Sequence, residues 1–145
     1  MKAKFLLIAF ISLMASYSFT QTIKWDSNRV MSIKDFKIAK PELDSNSVLI
    51  INVNVIGELI NNQLIAYAVL YPEQSLRCTC VDTTELNYLL AHEQLHFDIA
   101  EYIARRINKA IKDQNLDYKQ NKAQIKQIFE DYEIIFKLME YQYDN

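Results

Sequence analysis

The chain has 145 residues, half of them hydrophobic and 12% aromatic, with one Gly, two Pro and a formal charge of −2. That composition supports one domain with a real core and disfavours disorder, collagen-like repeats and long flexible linkers. The near-neutral balance, with no basic stripe interleaved with aromatics, argues against a nucleic-acid partner.

Residues 1–20 read as an export signal. Lys2 and Lys4 give a positive start, Phe5 to Ala15 is apolar apart from Ser12, and Ser16 to Thr20 form a small, polar-tending exit. The apolar run falls short of the roughly 20 residues needed to span a bilayer. A cleaved secretory signal is expected, cut before Gln21, with no stable membrane span afterwards and a periplasmic or extracellular destination. Residues 21–145 are then a single domain.

Strands come first. Ile23-Lys24-Trp25 opens a short one, and Ile33 to Ile38 alternates apolar with charged residues at the strand period. Val48 to Ile60 is rich in Val, Ile and Leu, and Gln63 to Tyr71 returns as its partner until Pro72 ends it. Asn61-Asn62 suits the hairpin tip, because Asn tolerates left-handed backbone. Cys78 and Cys80 flank a single residue, a spacing awkward for a mutual disulfide; a strained bridge, free thiols and intermolecular pairing stay open.

Then the period changes. Asp82 is the expected N-cap, with Glu85 three residues on in a capping-box pattern. Apolar residues recur every three or four positions from Leu86 to Ile111, one face of a long helix over about 83–114. Asn115-Leu116-Asp117 is a break, and Ile125, Ile128, Phe129, Tyr132, Ile135, Phe136 and Met139 mark a second helix.

Both histidines of the chain lie in Ala91-His92-Glu93-Gln94-Leu95-His96-Phe97. Four residues apart on a helix, His92 and His96 stand one turn above each other and can share one metal ion. Glu93 projects about 100° round the helix from His92, where it can act on water without being a ligand. This HExxH spacing is that of a zinc site in which Glu93 is the catalytic base. A third ligand is needed, with Asp117, Glu130, Glu133, Glu140 and Asp144 as candidates beside a residue past the chain end. Glu101 faces away and is better paired with Arg105 at i+4. Ile99 and Tyr102 stand where a metzincin would carry Gly and His.

The run His-Glu-Gln-Leu-His-Phe-Asp-Ile-Ala-Glu at 92–101, followed by Ala104-Arg105, resembles the signature of the bacterial secreted zinc-dependent proteases catalogued as domain of unknown function 922. Ile23-Lys24-Trp25, Asp35-Phe36 and a strand leading to Ser75 are also similar to that family. The resemblance covers most of residues 21–145 and implies a secreted or periplasmic metallopeptidase-like protein. It further implies a Tyr-Asp pair near the C-terminus, followed by a Thr and then a His that completes the metal shell. Tyr143-Asp144-Asn145 matches the start of that stretch, so either the chain is C-terminally truncated, or the third ligand comes from elsewhere, or the site is incomplete.

The expected architecture is α+β: a small antiparallel sheet, then two long helices, with a zincin-like motif helix under the sheet. The expected function is hydrolysis of a protein or peptide substrate by zinc-activated water, the β-hairpin offering an edge for the substrate backbone. A zinc hydrolase acting on something other than peptides, and a non-catalytic envelope module that keeps the fold, are the alternatives.

Overall fold

The computed structural model describes residues 21–38, 49–77 and 84–145. In chain order these form strands β1 (Ile23–Lys24), β2 (Lys37–Ile38), β3 (Leu49–Ile50), β4 (Val53–Ile60), β5 (Gln63–Leu70) and β6 (Leu76–Arg77), then helices α1 (Leu86–Asp113) and α2 (Lys122–Asp144). The class is α+β, with a small antiparallel sheet in the N-terminal half and two helices in the C-terminal half. The export segment, Cys78, Cys80 and the Asp82 cap lie outside the described residues. No helix among the described residues is long and apolar enough to cross a membrane.

The central feature of the sheet is the β4–β5 hairpin, paired from Ile60–Gln63 at the tip to Val53–Leu70 at the base. Asn61 and Asn62 both have positive φ, 50° and 66°. Positive φ at both turn residues matches the right-handed twist of the strands, and Asn accepts it more cheaply than other residues with a Cβ. β1 joins the other side of β5 at Leu70 and Val69, giving the order β1-β5-β4. Past Trp25, whose N–H donates to the Ala68 carbonyl at 3.1 Å, no strand among the described residues lies on that side of β5. There α1 closes the edge: Asn108 accepts from the Ala66 N–H at 2.8 Å and donates to the Ala66 carbonyl at 2.7 Å.

A second sheet, β2-β6-β3, has β2 parallel and β3 antiparallel to β6. Fully buried Ser75 ties it to the first: its hydroxyl donates to the Tyr71 carbonyl and accepts from the Asn52 N–H, while its carbonyl accepts from the Lys37 N–H. The expected strand over Ile33–Ile38 is mostly replaced by a 3-10 turn at Ile33–Asp35, leaving only β2. Local hydrogen bonding overrides the alternating pattern. The Asp35 carboxylate accepts from the Ser32 N–H at 2.8 Å and pairs with Arg29, so the acid is buried and satisfied inside a turn.

α1 is the spine. Glu93, His96, Phe97, Ala100, Ile103, Ala104, Ile107 and Ile111 form its buried stripe. The N-terminal part packs with Met31, Phe36, Leu49, Ala68 and Leu70, and the C-terminal part with Ala66, Ile125 and Ile128. At the far end Asn115 has φ 49°, its N–H meets the Lys112 carbonyl and the Leu116 N–H meets the Ile111 carbonyl. This is a Schellman closure with Asn in the left-handed position. It turns the chain back, so that α2 runs antiparallel to α1 and its last turn arrives beside the motif. The single glycine lets α2 close on the sheet, since a Cβ at Gly57 would sit 3.1 Å from Phe129 Cζ.

Candidate metal centre

The site forms where the buried stripe of α1 turns polar. His92 and His96 lie one turn apart with ring centroids at 4.9 Å, and their Nε2 atoms are 3.3 Å from each other. From α2, Asp144 Oδ1 lies 3.1 Å from His96 Nε2 and 3.5 Å from His92 Nε2. These three donor atoms form a group that can hold a metal ion. The His96 side chain is almost fully buried, whereas those of His92 and Asp144 are 33% and 51% exposed. The group therefore opens to solvent on its His92–Asp144 side.

The separations suit a small divalent cation. Zinc bonds to nitrogen and carboxylate oxygen run about 2.0–2.2 Å, which makes the edge of a coordination tetrahedron about 3.3–3.6 Å. The donor triangle has edges of 3.1, 3.3 and 3.5 Å. Its chemistry points the same way. His96 Nδ1 lies 2.9 Å from Glu140 Oε2, so in the neutral ring Nδ1 carries the hydrogen and Nε2 is left as a lone pair. An imidazole lone pair, a second imidazole nitrogen and a carboxylate oxygen then converge, an arrangement that can hold a cation between them.

Electrostatics at the site are dominated by burial and by the acids of α2. Glu93 is only 7% exposed. Burial pushes its carboxyl above the ordinary range, with the Asp144 charge adding to this, against the pull of His96, His92 and the Ile51 backbone amide. His96 is raised by its hydrogen bond to Glu140, burial opposing, with the charges of Glu140, Asp144 and Glu93 reinforcing the rise. Tyr143 stacks on His92 at 4.7 Å with the planes 21° apart, and meets His96 edge-on at 5.0 Å. Its hydroxyl turns back to the His92 carbonyl at 3.5 Å.

Of the candidate third ligands, Asp144 alone joins the two histidines. Glu140 touches the outer nitrogen of His96 instead. Asp117 accepts from the Lys119 and Gln120 N–H groups in the interhelical turn, and Glu130 and Glu133 pair along α2 with Lys126 and Lys137. Glu101 pairs with Arg105 at 2.9 Å, as its spacing suggested. The sequence reading did not foresee the stacking of Tyr143 or the support beneath the motif. Asp98 Oδ1 accepts from Trp25 Nε1 at 2.7 Å and from Gln94 Nε2 at 3.0 Å, while Gln94 Oε1 accepts from the Met31 N–H at 2.9 Å. One signal was available: Glu140, Tyr143 and Asp144, spaced i, i+3 and i+4, must share a face of α2.

No family model matches the chain, and neither a curated protein nor a solved structure is similar to it at a significant level.

Proposed function

We propose that the chain is a zinc-dependent hydrolase, acting outside the cytoplasm on protein or peptide substrates, with His92, His96 and Asp144 as ligands and Glu93 as the catalytic base. The observation that carries this reading is the convergence of the three donor atoms beside a buried glutamate. Zinc held there by His92, His96 and Asp144 would supply Lewis acidity, making water a nucleophile near neutral pH. Glu93 would take a proton from the attacking water as its oxygen bonds to the substrate carbonyl carbon, and would return that proton to the leaving amine as the C–N bond breaks. The resemblance of residues 92–101 to the secreted zinc-dependent proteases favours peptide over other substrates.

The sheet supports the same choice. The outward polar groups of Ala66 and Ala68 point away from β4. By the alternation of an antiparallel ladder, those of their partners Gly57 and Val55 then point away from β5. Among the described residues β4 is thus an edge strand, with the Val55 N–H capped by the Asn54 side chain at 2.8 Å, and the Ile51 backbone amide just before it acts on the Glu93 carboxyl. An extended peptide added along that edge would pass the site with its backbone recognised and its side chains alternating.

The test is Glu93→Gln, assayed by mass spectrometry on a randomised peptide mixture with zinc content measured in parallel. Loss of cleavage with zinc retained supports the assignment. Undiminished cleavage sinks Glu93 as the base, and no cleavage by a zinc-loaded wild type moves the chain to the non-catalytic module.

A further inference from the structure

The motif histidines are held by what lies behind them, and that support comes from one turn of α2. Glu140 stands one helical turn before Asp144, and its Oε2 lies 2.9 Å from His96 Nδ1. Its other oxygen is buried, with no hydrogen-bond partner among the described residues. The Glu140 side chain is 25% exposed overall, but a carboxylate oxygen held out of water without a partner is a cost to folding. Its one described hydrogen bond goes to His96, so stability alone does not explain it. Glu140 is also too far round His96 to share the ligand cluster, because it meets Nδ1 while Asp144 meets Nε2.

We infer that Glu140 is a positioning residue for the proposed metal site: its carboxylate holds His96 in the Nδ1–H tautomer, with Nε2 aimed at the ion and made more basic. The inference rests on the metal-site reading above. Outer-shell carboxylates of this kind raise the basicity of the ligating nitrogen and fix the ring's rotation, and their loss costs about 10–100-fold in metal affinity. The geometry has a helical logic. Ile111 and Ile125 belong to one core cluster, and equal steps back along α1 and forward along α2 bring His96 to Glu140 and then His92 to Asp144. The docking that seals the core thus delivers ligand and support together.

The test uses Glu140→Gln and Glu140→Ala in the full chain. Zinc affinity is measured by chelator competition, the visible spectrum by cobalt substitution, and the melting temperature on metal-free protein. Glutamine keeps an acceptor for Nδ1–H, so the zinc dissociation constant rises about tenfold in Glu140→Gln and about a hundredfold in Glu140→Ala. The cobalt spectrum keeps its wild-type band positions in both, because no ligand is removed. Affinities within about twofold of wild type in both folded variants overturn the inference. A shifted cobalt spectrum does so too, since it makes Glu140 a ligand. If the wild type binds neither metal, the metal-site reading itself has failed, an outcome distinct from both.

Discussion

Asn108 offers a sharp test of how α1 is fastened to the sheet. Its side chain supplies both hydrogen bonds that the Ala66 backbone would otherwise have made to a strand, at 2.8 and 2.7 Å. Ala66 is only 3% exposed, so water cannot readily replace them. In Asn108→Ala the N–H and the carbonyl are both left unsatisfied in a buried position, each costing about 1–3 kcal/mol. Partial relaxation and some water entry bring the sum to about 2–4 kcal/mol, a large share of a small domain's stability. Urea denaturation followed by circular dichroism reads this as a lower midpoint with an unchanged slope. Asn108 lies twelve residues beyond His96, about 18 Å along the helix, so zinc affinity of the folded variant stays at the wild-type value. A loss below about 0.5 kcal/mol would refute the reasoning, because it would mean that the edge of β5 does not depend on α1.

Substitutions at two residues of the site have further expected outcomes. Glu93→Gln lowers hydrolysis about 10²–10⁴-fold. Since burial holds the Glu93 carboxyl above its ordinary range in the metal-free fold, ionising it costs stability, a cost that builds as pH rises from the ordinary carboxyl range through the raised pKa. The metal-free amide variant accordingly melts no lower than wild type at neutral pH, and a clearly lower melting temperature would contradict this. Tyr143→Phe keeps the stacked ring and gives up only a long 3.5 Å contact, so zinc affinity is unchanged. Tyr143→Ala removes the surface that fixes His92 and weakens zinc about tenfold; competition titrations separate the two.

Much of the scaffold is readable from local pattern. The hairpin announces itself through two β-rich runs around Asn61-Asn62, and the two helices through apolar residues every third or fourth position. The break at Asn115 is readable because few residues other than Gly accept a left-handed closure. Ile33–Ile38 misleads for an equally local reason: its alternation matches a strand, while Ser32 and Asp35 carry the hydrogen bonds that make a turn instead. His92, Glu93 and His96 stand out by spacing alone. The choice of Asp144 over Glu130, Glu133 or Asp117 does not, because it depends on the register of α2 against α1. That register is set by Ile125, Ile128 and Phe136 finding their places in the core. A side chain's role at a contact spanning 44 residues, as for Glu140 and His96, is legible only after the helices are docked.

The proposed hydrolase stands on one zinc ion bound between α1 and the last turn of α2. Elemental analysis of the purified protein, beside a His92→Ala, His96→Ala double variant and Asp144→Ala, reads that ion without any assay of activity. About one zinc per wild-type chain is expected, none in the double variant and a readily stripped ion in Asp144→Ala. A well-folded wild type that takes up no zinc, or a double variant that keeps it, would rule out a metal ion held by these residues.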